Sequence, residues 1–507
     1  MAIGTYEAYV ERLRKMKPNV YINGKKLDRT GDWINGGLYV IKQTYDCAND
    51  PAYQEVCTAT SHLTGEKINR YTHIHQTMED LLQKQRMTRL LCHRVGGCIQ
   101  RCMGNDALNA LAVVTYDMDA ECGTDYNKRF LKYLEYSQAN DLVANCAQTD
   151  TKGDRLKRPH EQEDLDQYVR IVDVKPDGII VRGAKICNSI APYADEIIVT
   201  PTRFMSSKDA DYAVAFALPA DWDGVKLIAL PGGHSKRNHL KAPMGEVGDV
   251  ESMTIFDDVF VPNERVFMNG RSNPEVVQYA GYLALMFAHF HRHSYTGCKT
   301  AVSEVLASQA ALVAEYNGIE KAEHVKEKIS HIIGTAELVF AAGQASAYRG
   351  VKFPSGSFVP DEILTNAGRR LAGKEIYNEY SILADLAGGL SATLPLEEEF
   401  FAEETAELVN KYVKRNPKIS CEDTHRCFRM VESQLCSHFA GACMVAGMHG
   451  GGSPLMETIA MMGAYDLEGL KNIAKYLAGI NKELPIYERP TVTPRRMLEK
   501  FRKFEKK

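Results

Sequence analysis

Two pairs of residues in this 507-residue chain have the types and spacing to hold a metal. Cys98 and Cys102 stand four apart. If that segment is helical, the two thiols sit one turn apart on one face, a single bite for a metal or cluster. His291 and Cys298 stand seven apart in the apolar stretch Leu285–Thr300, LMFAHFHRHSYTGCKT. Seven residues are close to two helical turns, so both side chains leave the same stripe. Each pair also has a plain structural reading. A histidine on an apolar helix is usually a satisfied core residue, and four-spaced cysteines arise by chance in a chain with thirteen. Taken together, the pairs supply three thiolates and one imidazole, a full four-ligand set. That set suits a closed structural zinc site, or an iron–sulfur cluster with one nitrogen ligand. In a cubane, the histidine-ligated iron can exchange its ligand and act as a Lewis acid.

Other stretches carry polar chemistry at expected junctions. Cys146–Arg155, CAQTDTKGDR, lies where a helical region meets a β region, and its hydroxyls, amides and backbone could bind a cofactor or form an ordinary loop. Gly183–Ser189, GAKICNS, at a strand end, is similarly open. In Gly450–Glu457, GGGSPLME, three glycines permit close backbone contact with a flat ligand. Glu457 there is either an active-site acid or a helix-dipole partner. A rival ligand set, Cys421, Cys427, Cys436 and Cys443 with His425 and His438, is loosely spaced on an amphipathic segment and reads as core.

The elements that must position these residues change character twice. Helical periodicity dominates to about residue 145, most clearly at Thr72–Val95, with Asn105–Tyr116 an apolar segment and Asp125–Ala144 another helix. Short β-type runs separated by Pro and Gly follow: Tyr168–Val174, Gly178–Gly183, Glu196–Thr200, Tyr212–Leu218, Val225–Leu230 and Ser252–Val261. Helices are expected again at Glu275–Tyr316, Glu320–Arg349, Pro360–Asp385, Leu396–Lys414 and Thr424–Met448. This reads as an α+β chain in three parts: an N-terminal helical domain (1–145), a central β-barrel or sandwich (146–272) and a C-terminal helical bundle (273–507). Thr493–Lys507 reads as a charged, solvated end.

Composition excludes several classes. A net charge of −4 leaves no nucleic-acid footprint, and no apolar run reaches membrane-spanning length. The first residues lack the apolar core of a signal peptide, and thirteen cysteines are an odd number, so a reducing cytoplasm is expected rather than a disulfide framework. No Gly-x-Gly-x-x-Gly opens a helix after a strand, so a Rossmann nucleotide site is not supported.

Cys-x-x-x-Cys, His-x6-Cys, the three-part order and IFDDVFVPNERVF (Ile255–Phe267) together resemble the 4-hydroxyphenylacetate 3-hydroxylase flavoprotein family. The closest resemblance is to its acyl-CoA dehydratase branch, which is set apart from the hydroxylases by an iron–sulfur cluster. The resemblance implies an acyl-CoA dehydrogenase-like fold, FAD, and a 4Fe–4S cluster held by Cys98, Cys102, His291 and Cys298. It implies flavin contacts at Gln148, Thr149, Asp150, Asp154, Arg155, Asn188 and Ser189, with Gln100 beside the cluster; a serine stands at 189 where the family is expected to have threonine. His291, Tyr295, Lys299 and Glu457 are implied as catalytic. The implied reaction is a radical dehydration of an acyl-CoA, 4-hydroxybutyryl-CoA to crotonyl-CoA, with Δ-isomerase activity, by a homotetramer built as a dimer of dimers. Two alternatives remain at this point: a two-component flavin monooxygenase acting on a phenol, and a zinc-stabilised helical scaffold without catalysis.

Overall fold

The computed structural model describes residues 3–233 and 237–505. Its helices of eight residues or more are α1 (Tyr6–Lys15), α2 (Asn35–Asn49), α3 (Met78–Val95), α4 (Cys102–Cys122), α5 (Tyr126–Ala139), α6 (Tyr279–Asn317), α7 (Glu323–Tyr348), α8 (Glu362–Ala387), α9 (Ala406–Val413), α10 (Cys421–Cys436), α11 (His438–His449), α12 (Pro454–Ala464), α13 (Leu467–Leu477) and α14 (Arg495–Glu505). Ten strands form the two main sheets: β1 (Val20–Ile22), β2 (Lys25–Leu27), β3 (Ala144–Ala147), β4 (Arg170–Lys175), β5 (Gly178–Lys185), β6 (Glu196–Val199), β7 (Val214–Pro219), β8 (Val225–Gly233), β9 (Gly248–Pro262) and β10 (Val266–Asn269).

The sheets run β2-β1-β8-β9-β5-β4 and β10-β7-β6-β3. Their inner faces share one apolar core, where Phe216 of β7 meets Phe256 of β9 edge to face at 5.5 Å. The arrangement is therefore a two-sheet sandwich. Strands β1 and β2 come from a region whose sequence reads as helical. β1 pairs in parallel with β8, Val20 opposite Leu227, so the central β body draws on the N-terminal segment.

The long helix α6 is the axis of the C-terminal half. Its 39 residues span about 58 Å at 1.5 Å per residue. It packs against α3, α4, α7, α8, α10 and α14, and nearly every side chain from Tyr279 to Ser303 is buried. A helix apolar all round is what such a position demands.

Several expected boundaries move, each for a local reason. The helix expected from Thr72 begins at Met78, because Thr77 and Asp80 form a capping box. Cys98 and Cys102 do not share a helix. Gly96, with φ +64°, ends α3 in the left-handed region; Cys98 lies in the following loop and Cys102 opens α4. Asp125–Ala144 is helical only to Ala139, and its last residue opens β3. The expected helix over Leu396–Lys414 is a 3-10 turn, Glu397–Phe400, followed by α9. The Glu397 carboxylate is taken up by backbone N–H groups of Asn238 (2.7 Å), His239 (3.1 Å) and Leu240. Thr424–Met448 divides at Ser437, whose extended backbone and hydroxyl cap α11 by accepting from the Ala440 N–H at 3.0 Å. The basic C-terminal segment is docked rather than solvated. Arg495 pairs with Asp117 (3.1 Å), Arg496 with Glu362 (2.9 Å) and Arg502 with Glu121 (2.6 Å), and Leu498 is buried.

Candidate active site and metal centre

The α3–α4 turn and the middle of α6 come together, and thiols gather at their contact. The thiols of Cys98 and Cys298 stand close enough to perturb one another, and Cys298 also meets Cys92 of α3. Cys102 lies close enough to both Cys98 and Cys298 to act on them electrostatically. Cys443 of α11 lies against the backbone of Gly97 and Cys98. A small cavity at this point is lined by Cys98, Tyr295, Cys298, Lys299, Val302, Ile376, Cys443, Ala446 and Gly447. Contact with Cys298 and burial push the Cys98 thiol well up, contact with Cys92 does the same at Cys298, and burial does so at Cys102. Desolvation thus favours neutral thiols here, and a cation among them reverses that preference. Buried soft donors drawn from two helices and a loop fit a cluster ligand set.

Of the three histidines in HFHRH, one faces this centre. His289 Nε2 meets Pro360 O at 2.8 Å, and burial lowers its pKa to about 3. His293 bridges Leu81 O (3.0 Å) and Ser346 Oγ (3.1 Å), and burial lowers its pKa to about 4. Both are core residues. His291 instead sets Nδ1 against Asp106 Oδ2 at 2.9 Å. Its ring stacks on Phe287 and meets Tyr295 edge-on at 5.7 Å. Among the described residues, the one group of three ligand-type side chains with ligand atoms all within 4.8 Å of one another is Cys102, Asp106 and His291. The four ligands expected from sequence therefore lie in one neighbourhood, together with Cys92, Cys443 and Asp106.

The Gly450–Gly452 loop closes the site from the C-terminal side. Arg369 of α8 donates to Gly450 O (Nε, 2.9 Å) and Met448 O (3.1 Å), and Arg292 donates to Gly451 O (2.7 Å). The glycines allow protein, not only a ligand, to approach. A Cβ on Gly451, whose φ is +73°, would stand 3.1 Å from His291 Cδ2. Arg369 also lies over the Tyr295 ring at 4.3 Å, and the Tyr295 hydroxyl donates to Ala446 O.

Glu457, in the first turn of α12, is 0% exposed, and neither carboxylate oxygen has a hydrogen-bond partner. Arg292 Nε stands 3.6 Å away. Burial outweighs the attraction of Arg369 and Arg292 and pushes the carboxyl up to about 7. An acid poised near neutrality is suited to proton transfer. Lys299 lines the thiol cavity, but its ammonium is committed: it donates to Glu379 and to Ser303 Oγ at 2.8 Å.

The expected flavin residues surround the ends of β3 and β5. Asp150 is buried and fully engaged by Lys185 Nζ (2.8 Å), the Val169 N–H (3.0 Å) and Thr202. Gln148 donates to Ala284 O at 3.0 Å, the Thr149 carbonyl accepts from Ile186 N–H, and Ser189 donates to Glu251. Asn188 donates to Thr254 Oγ1 at 2.8 Å, while its Oδ1 is buried without a partner. Asp154 and Arg155 are exposed. Arg155 and Arg203 stand near Lys152 and, after burial, help to lower its pKa. The unpaired Asn188 oxygen and this cationic group fit a ring-and-phosphate ligand. Asp150 and Ser189 shape the loops rather than offering free groups.

The sequence reading missed Asp106, Arg292, Arg369 and Cys92, and took Cys443 for core. Asp106 alone had a legible signal, since it continues the four-residue spacing of Cys98 and Cys102 on α4. Of the rival cysteine set, Cys443 joins the thiol cavity, against the core reading, while the others stand apart from it. Cys427 is buried in an apolar cluster, Cys421 donates to Asn410 O, and His425 stacks on Phe400.

A family model described as the 4-hydroxyphenylacetate 3-hydroxylase N-terminal part matches residues 5–268, and its C-terminal counterpart matches 280–479. The 4-hydroxybutyryl-CoA dehydratase/vinylacetyl-CoA-Δ-isomerase of Clostridium aminobutyricum is 36% identical over 94% of this chain and 99% of its own. The solved oxygen-tolerant archaeal 4-hydroxybutyryl-CoA dehydratase from N. maritimus superimposes with a TM-score of 0.89 at 34% identity, covering 96% of this chain and 97% of its own. The FAD complex of the oxygenase component of 4-hydroxyphenylacetate 3-monooxygenase superimposes with a TM-score of 0.82 at 26% identity, covering 94% and 98%.

Proposed function

We propose that this chain, which belongs to the 4-hydroxyphenylacetate 3-hydroxylase family, is an enzyme that dehydrates 4-hydroxybutyryl-CoA to crotonyl-CoA and isomerises vinylacetyl-CoA. The observation that carries the reading is the gathering of Cys98, Cys102, His291 and Cys298, with His291 against the glycine loop that leads into Glu457, a buried carboxyl pushed up to about 7. A phenol hydroxylase of the same family leaves that thiol–imidazole set without a task. The fold is read as acyl-CoA dehydrogenase-like from its helical, β, helical order.

The chemical difficulty is a hydrogen at C3 that the thioester does not acidify. When bound, FAD supplies one-electron redox chemistry and a 4Fe–4S cluster supplies a Lewis acid for the departing hydroxyl, which together make a radical elimination accessible. The cluster would be held by Cys98, Cys102, Cys298 and His291. The flavin would be held by the loops bearing Gln148, Thr149, Asp150, Asp154, Arg155, Asn188 and Ser189. The chain's own work is proton handling and exclusion of water. His291, with Nδ1 engaged by Asp106, presents Nε2 as the acceptor for the C2 proton when it is not ligated. Glu457 holds or gives a proton at its carboxyl, and Arg292 and Arg369 fix the loop that faces it. The Tyr295 hydroxyl, donating to Ala446 O, keeps its oxygen available as an acceptor. Lys299, paired with Glu379, orients the polar wall of the cavity.

The assembly is read as a homotetramer, a dimer of dimers. The outer face of α12, with Leu455, Met456, Ile459 and Met462 exposed, supports burial against further copies of the chain. No helix among the described residues is long and apolar enough to cross a membrane, and we place the protein in the cytoplasm.

Anaerobic purification with iron, sulfide and flavin quantitation tests the assignment, followed by assay with 4-hydroxybutyryl-CoA. Stoichiometric iron, sulfide and FAD with dehydration are expected. Flavin without iron, together with phenol hydroxylation, would favour the monooxygenase, and zinc without flavin a scaffold.

A further inference from the structure

We propose that Asp106 is the positioning residue of this centre: one buried carboxylate holds His291 in the tautomer and orientation needed for ligation and fixes the register of α6 on α4. The inference rests on the cluster reading above.

Asp106 uses its two oxygens on two residues of α6. Oδ2 meets His291 Nδ1 at 2.9 Å, and Oδ1 accepts from Ser294 Oγ at 2.8 Å. His291 and Ser294 are three residues apart, so they share one face of α6. Asp106 and Cys102 are four apart, one turn along α4. The helix that supplies a thiol ligand thus also supplies the clamp on the imidazole ligand. A carboxylate has no proton to give, so Nδ1 must be the protonated nitrogen, and the lone pair is left on Nε2. No hydrogen bond reaches Nε2 from the described residues.

A carboxylate at 0% exposure needs compensation. Lys84 of α3, itself fully buried, stands 3.6 Å from Asp106 Oδ1. It also donates to Asn105 Oδ1 at 2.5 Å and lies over the Tyr71 ring at 5.1 Å. The lysine keeps the aspartate charged without drawing on the imidazole proton. Three helices are therefore joined by one charge pair, and the imidazole is the member left free to bind outward.

Removing the carboxylate partner of a metal-bound imidazole typically costs 10–100-fold in metal retention. In Asp106→Ala, purified anaerobically, chelator-driven iron loss should quicken about 10–100-fold. The nitrogen hyperfine coupling of the reduced cluster, seen by pulsed paramagnetic resonance, should weaken or vanish. Asp106→Asn, which keeps an oxygen acceptor for Nδ1–H, should recover part of both. Should Asp106→Ala fail to fold, Ser294→Ala removes only the bond to Oδ1 and should quicken iron loss several-fold. Wild-type iron loss and nitrogen coupling in Asp106→Ala, or in Ser294→Ala where that is the variant read, would overturn the proposal. A wild-type chain without iron would instead overturn the functional reading beneath it.

Discussion

Glu457→Gln separates a buried acid from a buried ion by its pH dependence. The carboxyl has no exposed surface and no hydrogen bond to either oxygen, and burial pushes it from its ordinary 4.5 up to about 7. At 1.36 kcal/mol per unit, ionising it in the fold costs about 3 kcal/mol more than ionising it in the unfolded chain. Below the unfolded value both states carry the proton and the cost is absent. As pH rises the unfolded chain ionises first, and folded stability falls by about 1.4 kcal/mol per unit until the folded group ionises too. The glutamine has no proton to lose. Whatever constant offset the substitution brings, variant minus wild-type stability should climb by about 3 kcal/mol between about pH 4.5 and 7, then level. Denaturant unfolding of both proteins across that range measures it. Loss of the carbonyl infrared band of a protonated acid, in variant against wild type near neutrality, identifies the group. The variant should keep flavin and iron yet lose about 10²–10⁴ in turnover, and wild-type turnover should fall as pH rises through about 7. A stability difference flat with pH would show that Glu457 is an ordinary ionised carboxylate and refute its role as the acid.

Serine substitution at Cys98, Cys102 or Cys298 should remove most bound iron, whereas Cys92→Ser and Cys443→Ser should retain it; iron assay after anaerobic purification decides which thiols ligate. Lys299→Met leaves Glu379 as an unpaired buried charge and should cost about 3–5 kcal/mol, read as a lowered denaturant midpoint. Adding Glu379→Leu should restore most of it. Gly451→Ala forces a side chain into a left-handed conformation against His291 and should cost about 1–2 kcal/mol in thermal unfolding. Gly334→Ala, in α7 with open space for its Cβ, should be neutral or stabilising by up to about 1 kcal/mol.

The cysteine and histidine spacing singled out residues that the fold gathers in one neighbourhood, though by a different route. His291 and Cys298 do share a face of one helix, as their separation requires. Cys98 and Cys102 do not, because Gly96 ends α3 before Cys98 and left-handed Gln100 turns the chain before α4 opens at Cys102, so their proximity is made by a turn. Spacing alone does not distinguish a helical turn from a tight loop. Of the three histidines, only the hydrogen bonds separate His291 from the two core residues, and those bonds reach Pro360, Leu81 and Ser346, far away in sequence. Arg292 and Arg369 were illegible for the same reason, since their partners are backbone carbonyls of a distant loop. The β region was legible from Pro, Gly and alternation, but β1 and β2 were not. Three-residue strands carry too little pattern, and β1 takes its identity from β8.

That pairing has a consequence for synthesis. β1 waits for a neighbour about 200 residues further along the chain, so the six-stranded sheet closes late and over a long loop. Until β8 is made β1 presents a bare edge, and without β1 it is β8 whose edge stays open to strands of other chains. A fragment made of the central β region alone should carry that edge permanently and aggregate, and adding the first thirty residues back, as a separate peptide or a permuted terminus, should rescue its solubility.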